Sequence, residues 1–367
     1  MVSSSAATVL PVTTRASRSV SVVIPCYNYA HFVADAINSV LTQTFKPIQI
    51  VVVDDGSTDN SLDVIKSFGD RIDIIAQPNN GHAAAENVGY ARTTGDVIFF
   101  LDADDFLYPS AVERVMSHVD ATTSKVQFYL EAVSENKTPR GFTAPERMPT
   151  ENKIETLLFR YGSYPSPPTS GNAYARSFLE RVLPFPEKEF LGATDNYVMV
   201  LAPLYGQVKV CAEPLGGYRL HGKNMSAVLS AQSLKRMREE TLINAARQRT
   251  LEAHCFALRR SIRTNLDLRQ PYTCKRRLIS LKADPHSHPF STDHPFKLAR
   301  KGLAAAVTYP DLSIANRLAL LISFLIIPLL PQRAVSNLVP ILDGGRREFS
   351  QFLSRLLGRP TSPTVPQ

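Results

Sequence analysis

Apolar and polar positions alternate between two rhythms over the first third of the chain. Ser21-Val22-Val23-Ile24 is a short buried-strand pattern that stops at Pro25, which has no N–H to give to a sheet ladder. Residues 30–41 switch to helical spacing, with Phe32, Ala36, Ile37, Val40 and Leu41 on one face. Ile48 to Val53 is a second apolar run, followed by Asp54-Asp55-Gly56-Ser57-Thr58-Asp59, a tight turn with candidate helix caps. Ile72 to Ile75 predicts a third strand, Ala83 to Arg92 a helix, and Val97 to Leu101 a fourth strand. Strand–helix alternation at this short spacing predicts an α/β fold with a mostly parallel, Rossmann-like sheet between helices. Further on, Tyr197 to Leu204 reads as an apolar helix and Val208 to Cys211 as a strand.

The fourth run ends abruptly in Leu101-Asp102-Ala103-Asp104-Asp105. The carboxyl ends of parallel strands are where open α/β sheets bind ligands. Asp102 and Asp104 are two apart, so an extended chain points both to one side. Clustered carboxylates repel unless a cation or hydrogen-bond donors stabilise them, and Mg²⁺ or Mn²⁺ prefers such oxygen ligands. An acidic turn or a helix cap at a strand end has the same local sequence.

Four segments occur in fixed order: Val23-Ile24-Pro25-Cys26-Tyr27-Asn28, Val53-Asp54-Asp55-Gly56-Ser57-Thr58-Asp59, Asn87-Val88-Gly89 and Leu101-Asp102-Ala103-Asp104-Asp105. Over roughly residues 20–222 the chain resembles the family 2 glycosyltransferases, inverting enzymes of GT-A fold. The resemblance implies a nucleotide-sugar donor, with a UDP-sugar expected. It implies that Asp55 faces the base and accepts uracil N3–H, and that Pro25, Tyr27, Asn28 and Asn87 line the donor site. It places Asp102 on the ribose or in the metal shell, and Asp104 on the metal, Mg²⁺ or Mn²⁺. Such a reaction needs positive charge opposite the departing diphosphate and a base for the acceptor hydroxyl.

Asp195 is the expected base. It precedes the apolar helix from Tyr197, where the family often carries Glu-Asp and this chain carries Thr194-Asp195. A helix N-cap is the other role open to an Asp there. Glu187 and Glu189, in a Pro-bounded loop, are rivals. Gly217-Tyr218-Arg219-Leu220-His221-Gly222-Lys223-Asn224-Met225-Ser226 resembles the Tyr-Arg-x-His segment that closes many family domains, which implies that His221 completes the metal shell or meets the diphosphate. With no Trp in the chain, the Gln-x-x-Arg-Trp motif of processive synthases cannot occur, which favours transfer of single sugars.

The charge is divided unevenly. Residues 228–367 hold 22 Lys and Arg against 9 Asp and Glu, a net +13, whereas residues 1–227 hold 19 against 24. This predicts three parts: a disordered tail (1–19), a catalytic domain (20–227, with a donor-nucleotide half to 120 and an acceptor half after it) and a basic, mostly helical region (228–367). Leu318 to Leu330 is uncharged and mostly apolar but too short to span a bilayer, which needs ~20 residues. Arg317, Arg333, Arg346, Arg347, Arg355 and Arg359 surround it, so residues 312–360 are expected either to lie on a membrane surface or to pack as a helical subdomain, or against a second copy. No nucleic-acid motif or basic-aromatic platform is present, so nucleic acid is not an expected partner. The four cysteines form no C-x-x-C pair and no signal-peptide core is visible, which suggests the cytoplasm, with peripheral contact at the inner face of the membrane.

The expected activity is metal-assisted, inverting transfer to a hydroxyl of a glycan or lipid-linked glycan, in cell-surface or exported polysaccharide or glycolipid synthesis. A degenerate, membrane-associated glycan-binding or scaffold protein is the non-enzyme rival. A sugar-phosphate nucleotidyltransferase would need a Gly-rich phosphate loop after the first strand, where Pro25-Cys26-Tyr27-Asn28 stands instead.

Overall fold

The computed structural model describes residues 18–190, 192–222, 234–310 and 312–343. The tail to residue 17, the segment from Lys223 to Ser226 and Arg346, Arg347, Arg355 and Arg359 lie outside the described residues. Alternating strands and helices open the chain: β1 (Val20–Cys26), α1 (Val33–Leu41), β2 (Ile48–Asp55), α2 (Ser61–Lys66), β3 (Asp73–Gln77), α3 (His82–Arg92) and β4 (Val97–Phe100). β5 (Phe106–Leu107), α4 (Ala111–His118), β6 (Thr123–Ser134), β7 (Pro139–Ala144), α5 (Glu151–Tyr161), β8 (Asn172–Ala175), α6 (Arg176–Leu179), α7 (Thr194–Tyr205) and β9 (Gln207–Leu220) follow. The strands form one sheet in the order β3-β2-β1-β4-β8-β6-β9-β5, with β7 added to β6. β1, β2, β3 and β4 are mutually parallel, β8 runs antiparallel to both β4 and β6, and β6 and β9 are parallel.

The period-2 pattern of the strands divides the core between the two faces. Val22 and Ile24 of β1 and Phe99 of β4 pack with Ile37 and Val40 of α1 on one side. Val23, Ile98 and Phe100 join Leu158 of α5 and Val200 of α7 on the other. Gly89 lets α3 lie directly on the sheet, since a Cβ there would fall 2.4 Å from Val23 Cγ1.

Three expectations need correction. The chain is not extended after the fourth strand: β4 ends at Phe100, and the Asp105 N–H donates to the Asp102 carbonyl (3.0 Å), so Asp102 to Asp105 is a turn. The predicted strand 208–211 is the start of the longer β9, held by parallel pairing to β6. Nor does the first strand stop at Pro25: β1 continues through it to Cys26, still paired with β2. The C-terminal helices pack on the catalytic part. α8 (Leu234–Ala257) places Ala246, Leu251 and Cys255 in the same core as Val198 and Leu201 of α7.

Beyond α8, α9 (Pro271–Ala283), α10 (Pro295–Thr308), α11 (Ile314–Ile326) and α12 (Gln332–Asp343) enclose a second core of Leu278, Leu298, Phe324 and Val335, to which α8 adds Met237. Much of the basic charge is paired here. Arg277 is bridged to Asp267 (2.9 Å) and Asp293 (2.7 Å), and Arg238 to Asp284 (2.9 Å). No helix among the described residues is long and apolar enough to cross a membrane.

Candidate active site

The loops that leave the carboxyl ends of β1, β2 and β4 converge with the N-terminus of α3, and they carry most of the predicted residues. Pro25 is buried within β1, opposite Val53. Tyr27 follows, 44% exposed. Asn28 takes a left-handed conformation (φ 59°), and its Oδ1 accepts from the N–H groups of Thr58 (2.7 Å) and Asp59 (3.2 Å), tying the β1 loop to the β2 loop. Asp55 is buried at the end of β2. Its Oδ1 accepts from Gln77 Nε2 (2.7 Å) and the Asn80 N–H (2.9 Å), and its Oδ2 accepts from the Gly81 N–H (2.8 Å). Gly56, at φ 72°, allows the turn to pass under this loop, because a Cβ there would meet Asn79 N at 2.6 Å. Asn87 has a different employment from the expected one: both ends of its amide bond the Phe185 backbone, Nδ2 to the carbonyl (3.0 Å) and Oδ1 from the N–H (2.7 Å).

Oxygens of Asp102, Asp104 and Asp105 lie within 4.8 Å of one another. The turn, rather than an extended strand, brings them together. Burial, only partly offset by His82, pushes Asp102 up to about 7, with Asp104, Glu86 and Asp195 adding to the rise. Asp105 is pushed well above the usual carboxylate range by burial and by Asp104 and Asp102. Its Oδ1 accepts the Arg219 N–H (2.9 Å), while its buried Oδ2 has no partner among the described residues. Three repelling carboxylates with an orphaned oxygen suit a hard divalent cation. His221 Nε2 lies 3.0 Å from Asp104 Oδ2, with the His221 ring against Phe32 and Tyr29. Arg219, two residues before His221, has its guanidinium engaged elsewhere. Its guanidinium bonds Asp35 (2.9 Å) and the Glu135 carbonyl (2.9 Å) and stacks on Phe32, bracing α1 against β9.

Asp195 sits in the first turn of α7, one residue inside the helix. The N-cap is Ala193, with no side-chain cap bond, so Asp195 does not serve as the cap. Its Oδ1 accepts from the Asn196 N–H (2.8 Å) and Asn196 Nδ2 (3.0 Å). Burial raises its pKa against the lowering effect of those bonds, and Glu86 raises it further.

A family model described as glycosyl transferase family 2 matches residues 21–183. An uncharacterized glycosyltransferase of Nostoc sp. is 37% identical over 237 residues, which cover 62% of this chain and 73% of that protein. The chain belongs to glycosyl transferase family 2. It is a nucleotide-sugar-dependent glycosyltransferase. An uncharacterized glycosyltransferase of Rickettsia typhi is 32% identical over 143 residues, 38% of this chain and 45% of that protein. Among solved structures, S. aureus TarS 1-349 in complex with UDP-GlcNAc aligns with a TM-score of 0.51 at 16% identity, covering 93% of this chain and 92% of that one. This likeness shows the fold, GT-A.

The transferase also gathers site residues that the sequence reading passed over. His82, at the start of α3, lies 3.3 Å from Glu86 and 3.7 Å from Asp102. Burial works against its protonation, yet Glu86 and Asp102 outweigh burial and hold it up at about 10. The i, i+4 spacing of His82 and Glu86 was the available signal, hidden within an alanine-rich helix. Lys125 of β6 is fully buried, donates to Ser166 (2.7 Å) and is pushed down to about 7 by burial. Its signal was a lysine leading into the apolar run from Val126 to Leu130. Ser170 accepts the Asp102 N–H (3.1 Å) and anchors the acidic turn. Burial pushes the Cys26 thiol up to about 12, so the cysteine of the donor loop is inert at neutral pH.

Proposed function

We propose that this glycosyltransferase moves one sugar from a UDP-sugar to a hydroxyl of a glycan or lipid-linked glycan, with Mg²⁺ or Mn²⁺, in cell-surface or exported polysaccharide or glycolipid synthesis. The observation that carries the reading is the cluster of Asp102, Asp104 and Asp105 within electrostatic reach of Asp195, which is half-buried in the first turn of α7 and is not its N-cap. Asp55 is an acceptor-only group at the donor loop and suits an imide N–H such as uracil N3–H. Pro25 and Tyr27 line the nucleotide, while Asn28 and Asn87 hold the walls. Asp104 and Asp102 would hold the cation, and His221 would orient Asp104 or join the shell. When bound, the cation neutralises charge growing on the leaving diphosphate. Asp195 takes the acceptor proton on Oδ2, because Oδ1 is occupied by Asn196, and the hydroxyl oxygen attacks the anomeric carbon as the diphosphate departs.

The test is nucleoside diphosphate release by the full chain from UDP-hexoses, with GDP-mannose as a control. Release should require Mg²⁺ or Mn²⁺ and stop with EDTA. A donor at 100 times its Kd should add ~2.7 kcal/mol to thermal stability. If no UDP-sugar stabilises the protein and none is turned over, the reading is wrong.

The membrane expectation belongs to the same proposal. α11 buries Leu320 and Phe324 but exposes Ile314, Leu318, Ile322, Leu325 and Ile326, with Leu329 continuing the stripe at 73% exposure. These positions recur at helical spacing on one side, and the charge of the C-terminal region favours an anionic lipid surface at the cytoplasmic face. The full chain should sediment with phosphatidylglycerol vesicles, less so as salt rises. Leu318→Gln with Leu325→Gln should weaken binding about tenfold or more and leave donor release intact. A chain that ignores vesicles at low salt would dismiss the membrane contact.

A further inference from the structure

We infer that Arg247, from the C-terminal helix α8, is a positioning residue for Asp195 and acts through the Asn196 side chain. The inference rests on the reading of Asp195 as the base. Arg247 is 7% exposed, and its Nη1 donates to Asn196 Oδ1 (3.0 Å). A guanidinium can only donate, so the amide oxygen of Asn196 must face Arg247. The amide nitrogen is thereby turned to Asp195, where Nδ2 meets Oδ1 at 3.0 Å, beside the Asn196 backbone N–H on the same oxygen at 2.8 Å. Both bonds fall on Oδ1. Oδ2 accepts none among the described residues and is left for the acceptor proton.

The surroundings of Arg247 point the same way. Its Nη2 donates to Asn244 Oδ1 (2.7 Å) and Gln270 Oε1 (3.5 Å), and Gln270 Nε2 is fixed on the Tyr161 carbonyl (2.8 Å). Its hydrogen-bond partners among the described residues are all neutral amides. A buried cation without a carboxylate partner is costly to keep. Asp195 is among the charges that it feels, and burial brings its pKa down only to about 10, so it stays charged. The groups that face Asp195 from other elements are Glu86 and His82 of α3, Asp102 after β4, Lys125 of β6 and Tyr174 of β8. Within this set, the Arg247–Asn196 arm supplies directional donors to Oδ1.

The test uses the full chain with ¹³Cγ-labelled aspartate, the Asp195 resonance being the one lost in Asp195→Asn. Asn196→Asp keeps the link to Arg247 but puts a like charge where Asp195 had a donor. The titration midpoint of Asp195 should move up in Asn196→Asp and in Arg247→Met, and return in Arg247→Lys. Release of UDP from UDP-N-acetylglucosamine with Mn²⁺, water being the acceptor, should fall about tenfold at constant KM in the first two. An unmoved midpoint in Asn196→Asp, with Arg247→Met either unmoved or unfolded, would show that Arg247 only docks the helix. If Asp195→Asn itself leaves release unchanged, the base reading fails, whatever the midpoints do.

Discussion

Asp195→Asn is expected to lower sugar transfer by ~10²–10⁴-fold while donor affinity and folding stay near normal. The side chain is nearly isosteric, and its oxygen can still accept the Asn196 N–H that Oδ1 accepts now at 2.8 Å. No cap is lost, because the N-cap is Ala193. Burial has already raised the pKa of this carboxylate, so its ionised form is held against a desolvation cost that the amide does not carry. Stability should therefore not fall. Only the proton acceptor is removed. The pH dependence gives a second signature. In the wild type, kcat should decline as pH falls through the raised pKa of Asp195, since a protonated base cannot take the acceptor proton. The variant should lack that limb. Initial rates from pH 5 to 9 and a donor thermal shift measure both. Turnover per folded molecule equal to wild type would remove Asp195 from the reaction.

The half of the molecule around the donor loops was legible because its signals are local. β1, β2 and β4 are apolar runs that lead into Cys26, Asp55 and Asp102, and parallel pairing follows from the helices between them. The acidic cluster was legible as a cluster but not as a shape. Only the hydrogen bond from Asp105 N–H to the Asp102 carbonyl shows that a turn, not an extended strand, gathers the oxygens. The C-terminal region was the least legible. Its net charge of +13 suggested an exposed anionic partner, yet Arg238, Arg247 and Arg277 are spent on internal bonds. Tertiary pairing of charges is invisible to a count. The same limit hid Lys125, whose partner Ser166 is distant in sequence. Leu318 to Leu330 showed its apolarity in sequence. Which face α11 buries depended on Phe324 finding Gly302, whose Cβ would stand 2.2 Å from the ring.

Asp104→Asn is expected to abolish transfer, a loss of ~10³-fold or more, without loss of fold. Asp104 is nearly buried, 8% exposed, and is tied to His221 at 3.0 Å. An amide at 104 can keep a hydrogen bond to the ring but offers a cation a neutral and weaker ligand. Mn²⁺ affinity, followed by EPR, should fall by at least ~10–100-fold. The effect on stability runs the opposite way from that of a lost structural contact. Asp102 is raised to about 7, and Asp105 well above its usual range, first by burial and then in part by repulsion from Asp104. A carboxylate whose folded pKa is raised destabilises the fold as pH climbs from its unfolded value through the folded one. Removing Asp104 relieves both neighbours, so without metal the variant should match or exceed the wild type in Tm at pH 8, with the advantage fading towards pH 4. The two readouts separate a ligand from a scaffold residue. Lost turnover and lost Mn²⁺ binding in a protein at least as stable as the wild type assign Asp104 to the cation. Unchanged metal-dependent turnover would falsify the assignment, and a drop in Tm at every pH would make Asp104 a structural partner of His221.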